Sequence, residues 1–71
     1  MTTTTTIPTN PSRLLEYLTF AEVDGSRSPD CRRVLREERI ALAAALRTRD
    51  ARTIAVERDE ALRVARMWEG F

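Results

Sequence analysis

The stretch RIALAAALR, residues 39–47, places seven consecutive apolar residues between two arginines in a chain that is 32% charged. A helix on the surface of a globular protein normally keeps a polar face, because its apolar residues recur every three or four positions. No face of these two helical turns is polar. The stretch therefore predicts a helix segment that other elements contact on both sides.

This stretch belongs to a segment, residues 30–69, that contains neither glycine nor proline. One helix of about 60 Å could run through it at about 1.5 Å per residue. The apolar residues form two stripes, of which the first contains Cys31, Val34, Leu35, Ala41, Leu42, Ala45 and Leu46. The second contains Ala51, Ile54, Ala55, Ala61, Leu62, Ala65 and Trp68. On one straight helix these stripes would face nearly opposite directions, whereas an antiparallel hairpin would bury them against each other.

The register of such a hairpin follows from the spacing of the two stripes. A turn centred on Thr48 would place Leu42 beside Ile54 and would bring the other stripe residues together in the same way. The charges that interrupt the stripes, Glu38 and Arg58, would also meet. We expect them to form a partly buried ion pair that fixes the register. The turn lacks glycine, so one long helix remains the alternative.

Capping residues mark the helix starts. Asn10 before Pro11, and Ser28 before Pro29, match the preferred N-cap and first helical residues. The predicted helices cover residues 11–23, 29–47 and 50–69. In the first, Leu14, Leu15, Leu18 and Ala21 form an apolar stripe, which Tyr17, Phe20 and Val23 widen. The threonine-rich residues 1–9 are expected to form a disordered or extended arm, and residues 10–71 a single helical domain that Gly70 and Phe71 cap.

The composition limits the chemistry that the chain can perform. Its 71 residues contain twelve arginines, no lysine, eleven acids and no histidine, with a formal net charge of +1. This balance gives no strong drive toward nucleic acid or an anionic membrane. With one cysteine, a zinc site of ordinary composition is not expected, and no cofactor or catalytic residue is predicted. Cys31 is interpreted as a small buried apolar residue, with a reactive thiol as the alternative.

We therefore predict an all-α fold, in which a short N-terminal helix precedes a long antiparallel helical hairpin. Apolar residues remain outside the two stripes, and such a surface marks an interface. We expect the protein to form a homodimer through this surface, with a helical-bundle core. The candidate interface residues are Ile40, Ala43, Ala44, Val56, Val64, Met67 and Trp68.

These features favour a non-enzymatic protein–protein interaction module. It would act as an inhibitor, adaptor or regulator on a partner protein that the sequence does not identify. Bacteriophages and mobile elements encode many small helical proteins of this kind. A source of that type, with a host regulator or defence protein as the partner, fits this interpretation. No apolar run approaches a membrane span and no signal peptide is visible, so a cytoplasmic location is expected. The alternatives are a nucleic-acid-associated regulator with arginine-rich dimer faces and a small structural or assembly factor.

Overall fold

The computed structural model describes residues 7–69, which form three α-helices and no strand. They are α1 (Pro11–Ala21), α2 (Pro29–Thr48) and α3 (Ala51–Glu69). The all-α prediction is confirmed for these residues. Most of the predicted arm and the predicted cap at the last two residues lie outside the described part.

Side-chain caps explain where the first two helices begin. The Asn10 Oδ1 atom accepts hydrogen bonds from the backbone N–H groups of Ser12 and Arg13, at 3.0 and 3.3 Å. The Ser28 Oγ atom accepts one from the N–H of Cys31 at 3.2 Å. A proline follows each cap and has no N–H to leave unpaired. Both starts therefore lie where the local sequence predicts them.

Helix α1 ends at Ala21, two residues before its predicted end. The N–H groups of Val23 and Asp24 donate to the carbonyls of Phe20 and Ala21, at 3.3 and 3.2 Å, which tightens the final turn. The Asp24 carboxylate then accepts hydrogen bonds from the backbone N–H and the hydroxyl of Ser26. These local bonds compete with the helix, because an aspartate side chain can stabilise a turn.

Between α2 and α3 the chain leaves the helical path, so the alternative of one long helix is wrong. Arg49 adopts the left-handed conformation, with φ of 56° and ψ of 19°. The Thr48 hydroxyl donates to the carbonyl of Ala45 at 2.6 Å and accepts from the N–H of Asp50 at 3.1 Å. The Asp50 carboxylate accepts a hydrogen bond from the N–H of Thr53 at 3.3 Å, which caps the start of α3.

The left-handed residue at this break supports a stability prediction. A residue with a Cβ atom is strained there, by about 1–2 kcal/mol. We expect Arg49→Gly to raise the free energy of unfolding by about 0.5–1 kcal/mol, since the flexibility of glycine in the unfolded chain offsets part of the relief. Chemical denaturation followed by circular dichroism measures this change. The control Arg47→Gly, inside α2, should lower the stability by about 1 kcal/mol; equal losses in both variants would contradict the prediction.

The core is built from all three helices, each of which contacts the other two. Four leucines are fully buried, of which Leu14 and Leu18 come from α1. The remaining core residues are Leu35, Leu42, Ala21, Cys31, Ala61 and Leu62. Ile7, which precedes α1 and lies in the predicted arm, packs against this core. Helix α1 is thus an integral part of the fold.

Within residues 7–69, no helix has the length and apolar character needed to cross a lipid bilayer.

Candidate interaction surface and the polar cluster beside it

Five of the seven predicted interface residues are at least partly accessible and are not among the side chains packed against the core. Ile40 is 54% exposed on α2, and on α3 Val56 is 62% and Met67 50% exposed. Ala44 is exposed and Ala43 is half-buried. These side chains give α2 and α3 apolar positions on their outer surfaces.

The other two predicted interface residues face the interior. Val64 is 6% exposed, and Trp68 is half-buried and packs against the core. Val64 follows Ala61, a fully buried residue, by three positions, so the two lie on the same side of α3. Because both α1 and α2 contact α3, its buried face is wider than the stripe that was assigned from the sequence. Val64 is therefore corrected from an outer position to an interior one.

The predicted ion pair between Glu38 and Arg58 does not form in the structure. The guanidinium of Arg58 instead donates to the carboxylate of the adjacent Asp59, at 3.0 and 3.2 Å. The Oε2 atom of Glu38 is buried and has no hydrogen-bond partner among the described residues. The sequence pattern identified two charges near the helix contact but paired them wrongly.

The environment of Glu38 shows why the pairing differs. Burial raises the pKa of its carboxyl group above the usual 4.5, and the negative charges of Glu60, Glu57 and Glu37 raise it further. Arg63 opposes them only in part. Glu57 lies one position before the predicted partner, about 100° away around the helix. The side of α3 that acts on Glu38 is thus acidic.

Removing this buried charge is expected to stabilise the protein. Glu38→Gln should raise the free energy of unfolding at neutral pH by about 0.5–1 kcal/mol, since like charges at helix contacts are unfavourable. A raised folded-state pKa means that the wild type gains stability below the usual glutamate pKa and loses it as pH rises through the raised pKa. Denaturation of both proteins across pH 4–8 should show a smaller loss with rising pH in the variant. Glu16→Gln, which removes an exposed carboxylate on a different helix, is the control; an unchanged or steeper loss for Glu38→Gln would refute the assignment.

The most exposed large apolar residues, Phe20 and Val23, lie at the end of α1 and are not among the predicted interface residues. Phe20 is 68% and Val23 66% exposed, although both were assigned to the buried stripe of α1. A depression of about 380 Å³ beside Phe20 is lined by Pro8, Arg13, Glu16, Tyr17 and Phe20. A second, of about 330 Å³, lies on its other side, toward Arg27. We call the outer side of α1 that carries Arg13, Glu16 and Phe20 the α1 surface.

A polar cluster next to the α1 surface joins three parts of the chain. The Tyr17 hydroxyl of α1 donates a short hydrogen bond to the Oε1 atom of Glu69, the last residue of α3. The guanidinium of Arg27, before α2, donates to the same oxygen at 2.6 Å. It also lies 3.5 Å from the Tyr17 hydroxyl oxygen. No sequence pattern signals this cluster, because its members are far apart in the chain.

The protonation of these groups follows from their contacts. Burial and the hydrogen bond to Glu69 raise the pKa of Tyr17 to about 12. The hydrogen bond from Arg27 and the one from Tyr17 lower the pKa of the Glu69 carboxyl. At neutral pH the cluster is therefore a neutral tyrosine with an ionised arginine–glutamate pair. None of these three groups changes its protonation state near pH 7. The cluster is therefore suited to holding α1, α3 and the segment before α2 together.

A second set of hydrogen bonds, between Glu22 and two arginines, joins the end of α1 to α2. The side chain of Glu22, which is 9% exposed, accepts a hydrogen bond from Nε of Arg39. Its backbone carbonyl accepts another from Nε of Arg32 at 3.1 Å. Arg32 and Arg39 thus hold the end of α1 against α2.

Cys31 lies behind the polar cluster and is 4% exposed. Arg27 approaches its sulfur, with Nη1 at 3.9 Å from Sγ. This burial agrees with the interpretation of Cys31 as a small apolar core residue. A depression of about 420 Å³ opens beside it and is lined by Asp24, Ser26, Arg27, Ser28, Cys31, Trp68 and Glu69. Among residues 7–69, no group of three potential metal-ligating side chains comes together.

No protein-family model, curated protein or solved structure matches the chain.

Proposed function

We propose that this protein is a small interaction module that acts by binding another protein, as an inhibitor, adaptor or regulator, and that it self-associates. One observation carries the proposal: five large apolar side chains are at least half exposed within residues 7–69. They are Phe20, Val23, Ile40, Val56 and Met67. Single exposed apolar residues are common, but accessible ones on every helix of such a short chain favour contact surfaces.

We further propose that α2 and α3 form the antiparallel hairpin that presents Ile40 and Val56. Two contacts support this arrangement. Arg27, two residues before α2, bonds to Glu69 at the end of α3. Midway along the helices, the charges of Glu57 and Glu60 act on Glu38. A link of two residues between the helices suits antiparallel neighbours.

Capture of a partner from the native host tests the proposed function. The tagged full-length protein is immobilised, incubated with host lysate, and the retained proteins are identified by mass spectrometry. We expect the wild type to retain a discrete partner protein. The double variant that combines Ile40→Ser with Val56→Ser should no longer retain it. A matched control replaces exposed polar residues of the same helices, Arg36→Ser with Asp59→Ser, and should retain it. The absence of a specifically retained protein would contradict the proposal.

A nucleic-acid-associated role is the second candidate, on the evidence of one surface. Arg32, Arg33 and Arg36 line a shallow depression with Pro29 at the start of α2. Arg33 and Arg36 are exposed, and guanidinium groups of this kind can contact phosphates. A DNA retention assay across a salt series tests this role, because phosphate-driven binding weakens steeply with salt. No retention at low salt would exclude it.

A further inference from the structure

The α1 surface combines a projecting side chain with a depression beside it. Phe20 is 68% exposed and projects beside an open depression of about 380 Å³. Pro8 and Tyr17 give this depression apolar walls, and Phe20 forms part of its rim. A surface with both a projection and a recess can fit a copy of itself. Such self-complementarity is the property that a two-fold symmetric interface requires.

The charges of the α1 surface are also self-complementary. Arg13 and Glu16 line the same depression, less than one helical turn apart, and both are exposed. Within residues 7–69, neither side chain takes part in an ion pair. An exposed arginine and an exposed glutamate at this spacing are each available to an opposite charge on a facing molecule.

We propose that a second copy of this chain docks on the α1 surface, with the two α1 helices antiparallel about a two-fold axis between Arg13 and Glu16. This proposal rests on the proposed function and names the surface used for self-association. The symmetry brings Arg13 of each copy to Glu16 of the other. Phe20 lies about 8 Å along the helix from that axis, at 1.5 Å per residue. It therefore reaches the segment just before α1 in the other copy, where Pro8 lines the depression.

The expected dimer is a weak one. Stable interfaces bury about 800 Å² on each partner, and one face of an eleven-residue helix offers less. The two Phe20 side chains, each against the segment before α1 of the other copy, carry most of the apolar contact, because aromatic residues dominate the energetics of small interfaces. The two Arg13–Glu16 contacts fix the alignment more than they add affinity. We therefore expect dissociation constants in the micromolar range.

Sedimentation-velocity centrifugation of the full-length protein, from micromolar to millimolar concentration, tests this dimer. We expect the wild type to change from monomer to dimer across the series, and Phe20→Ser to weaken dimerisation at least about tenfold. Val56→Ser is the matched control, because Val56 is 62% exposed on α3 and lies outside the α1 surface. Circular dichroism checks that each variant retains its helices.

Charge exchange tests the alignment. Arg13→Glu alone should weaken the dimer, because two glutamates then face each other on each side of the axis. Combining it with Glu16→Arg should restore the dimer, since the opposite charges meet again with their positions exchanged. Failure of the double variant to recover would overturn the alignment proposed here.

Three results would overturn the proposed dimer: a wild type that stays monomeric throughout, a Phe20→Ser variant that dimerises as well as wild type, or an equal loss in Val56→Ser. None of these bears on the capture of a host protein, which uses different variants. A monomer that still retains a host partner through Ile40 and Val56 would therefore refute self-association and leave the proposed binding of a partner protein standing. A dimer that retains no host protein would support self-association and refute the proposed binding of a partner protein.

Discussion

Replacing Leu18 by alanine is expected to unfold a large fraction of the molecules at 25 °C. Leu18 is 0% exposed, and truncation of a fully buried leucine costs about 2–5 kcal/mol, including the cavity that remains. A core in a chain of this length seldom supplies a net stability above about 3–5 kcal/mol. The loss is therefore comparable to the whole stability. The helical circular dichroism signal and its thermal transition measure the outcome.

The control for this substitution lies two residues further along the same helix. Phe20→Ala removes a larger side chain, but one that is 68% exposed, so its effect on monomer stability should stay within about 0.5 kcal/mol. The comparison is made at low protein concentration, where self-association does not contribute. A Leu18→Ala variant as stable as Phe20→Ala would show that α1 is not part of the core.

Arg27→Met is expected to lower the free energy of unfolding at neutral pH by about 1–2 kcal/mol. Arg27 contributes a charged hydrogen bond to Glu69, and such bonds are worth about 1.5–3 kcal/mol when shielded from water. The two side chains are 20% and 32% exposed, which reduces that value through solvent screening. Methionine retains much of the apolar stem, so the substitution removes mainly the charge. Urea denaturation measures the difference.

The pH dependence of this effect has a defined sign. Arg27 lowers the pKa of the Glu69 carboxyl in the folded protein, so the contact stabilises the fold above the usual glutamate pKa of 4.5. That contribution disappears as pH falls through the lowered folded-state pKa. Wild type and Arg27→Met should therefore converge in stability under acid conditions. A constant difference at every pH would show that lost packing, and not the ion pair, causes the effect.

Arg63→Met is the matched control for Arg27. Arg63 also donates to a glutamate, with Nη2 at 2.5 Å from the Oε1 atom of Glu60, but both residues lie on α3 and the arginine side chain is 67% exposed. An exposed pair within one helix adds little stability. We expect no comparable loss. If Arg63→Met lowered the free energy of unfolding as much as Arg27→Met does, the contact between Arg27 and Glu69 would have no special role in stability.

The features that the sequence predicts well are those that depend on neighbouring residues. Asn10 and Ser28 cap the two helices that follow them, because each cap bonds to N–H groups two or three residues away. The burial of Leu14 and Leu42 follows from helical periodicity, which is also local. These signals suffice to locate the starts of α1 and α2 and the all-α class.

The features that were mispredicted depend on the rotation of one helix against another. Periodicity gives the apolar side of α3 but not the width of the arc that two neighbours cover, so Val64 was taken for an outer residue. A constant spacing predicts the pairing of Glu38 with Arg58, whereas the acidic residues of α3 that act on Glu38 are Glu60 and Glu57. Phe20 widens the apolar stripe that periodicity assigns to α1, whereas the face that α1 buries is narrower and consists of Leu14, Leu18 and Ala21.

The contact between Arg27 and Glu69 also has a kinetic consequence. It joins residues 42 positions apart, whereas the hydrogen bonds of each helix connect near neighbours. Chains dominated by local contacts fold quickly, and a contact that closes a long loop is expected to form after the helices have docked. An interaction absent from the transition state affects the unfolding rate and leaves the folding rate nearly unchanged. We therefore expect this ion pair to lengthen the lifetime of the folded state more than it accelerates folding.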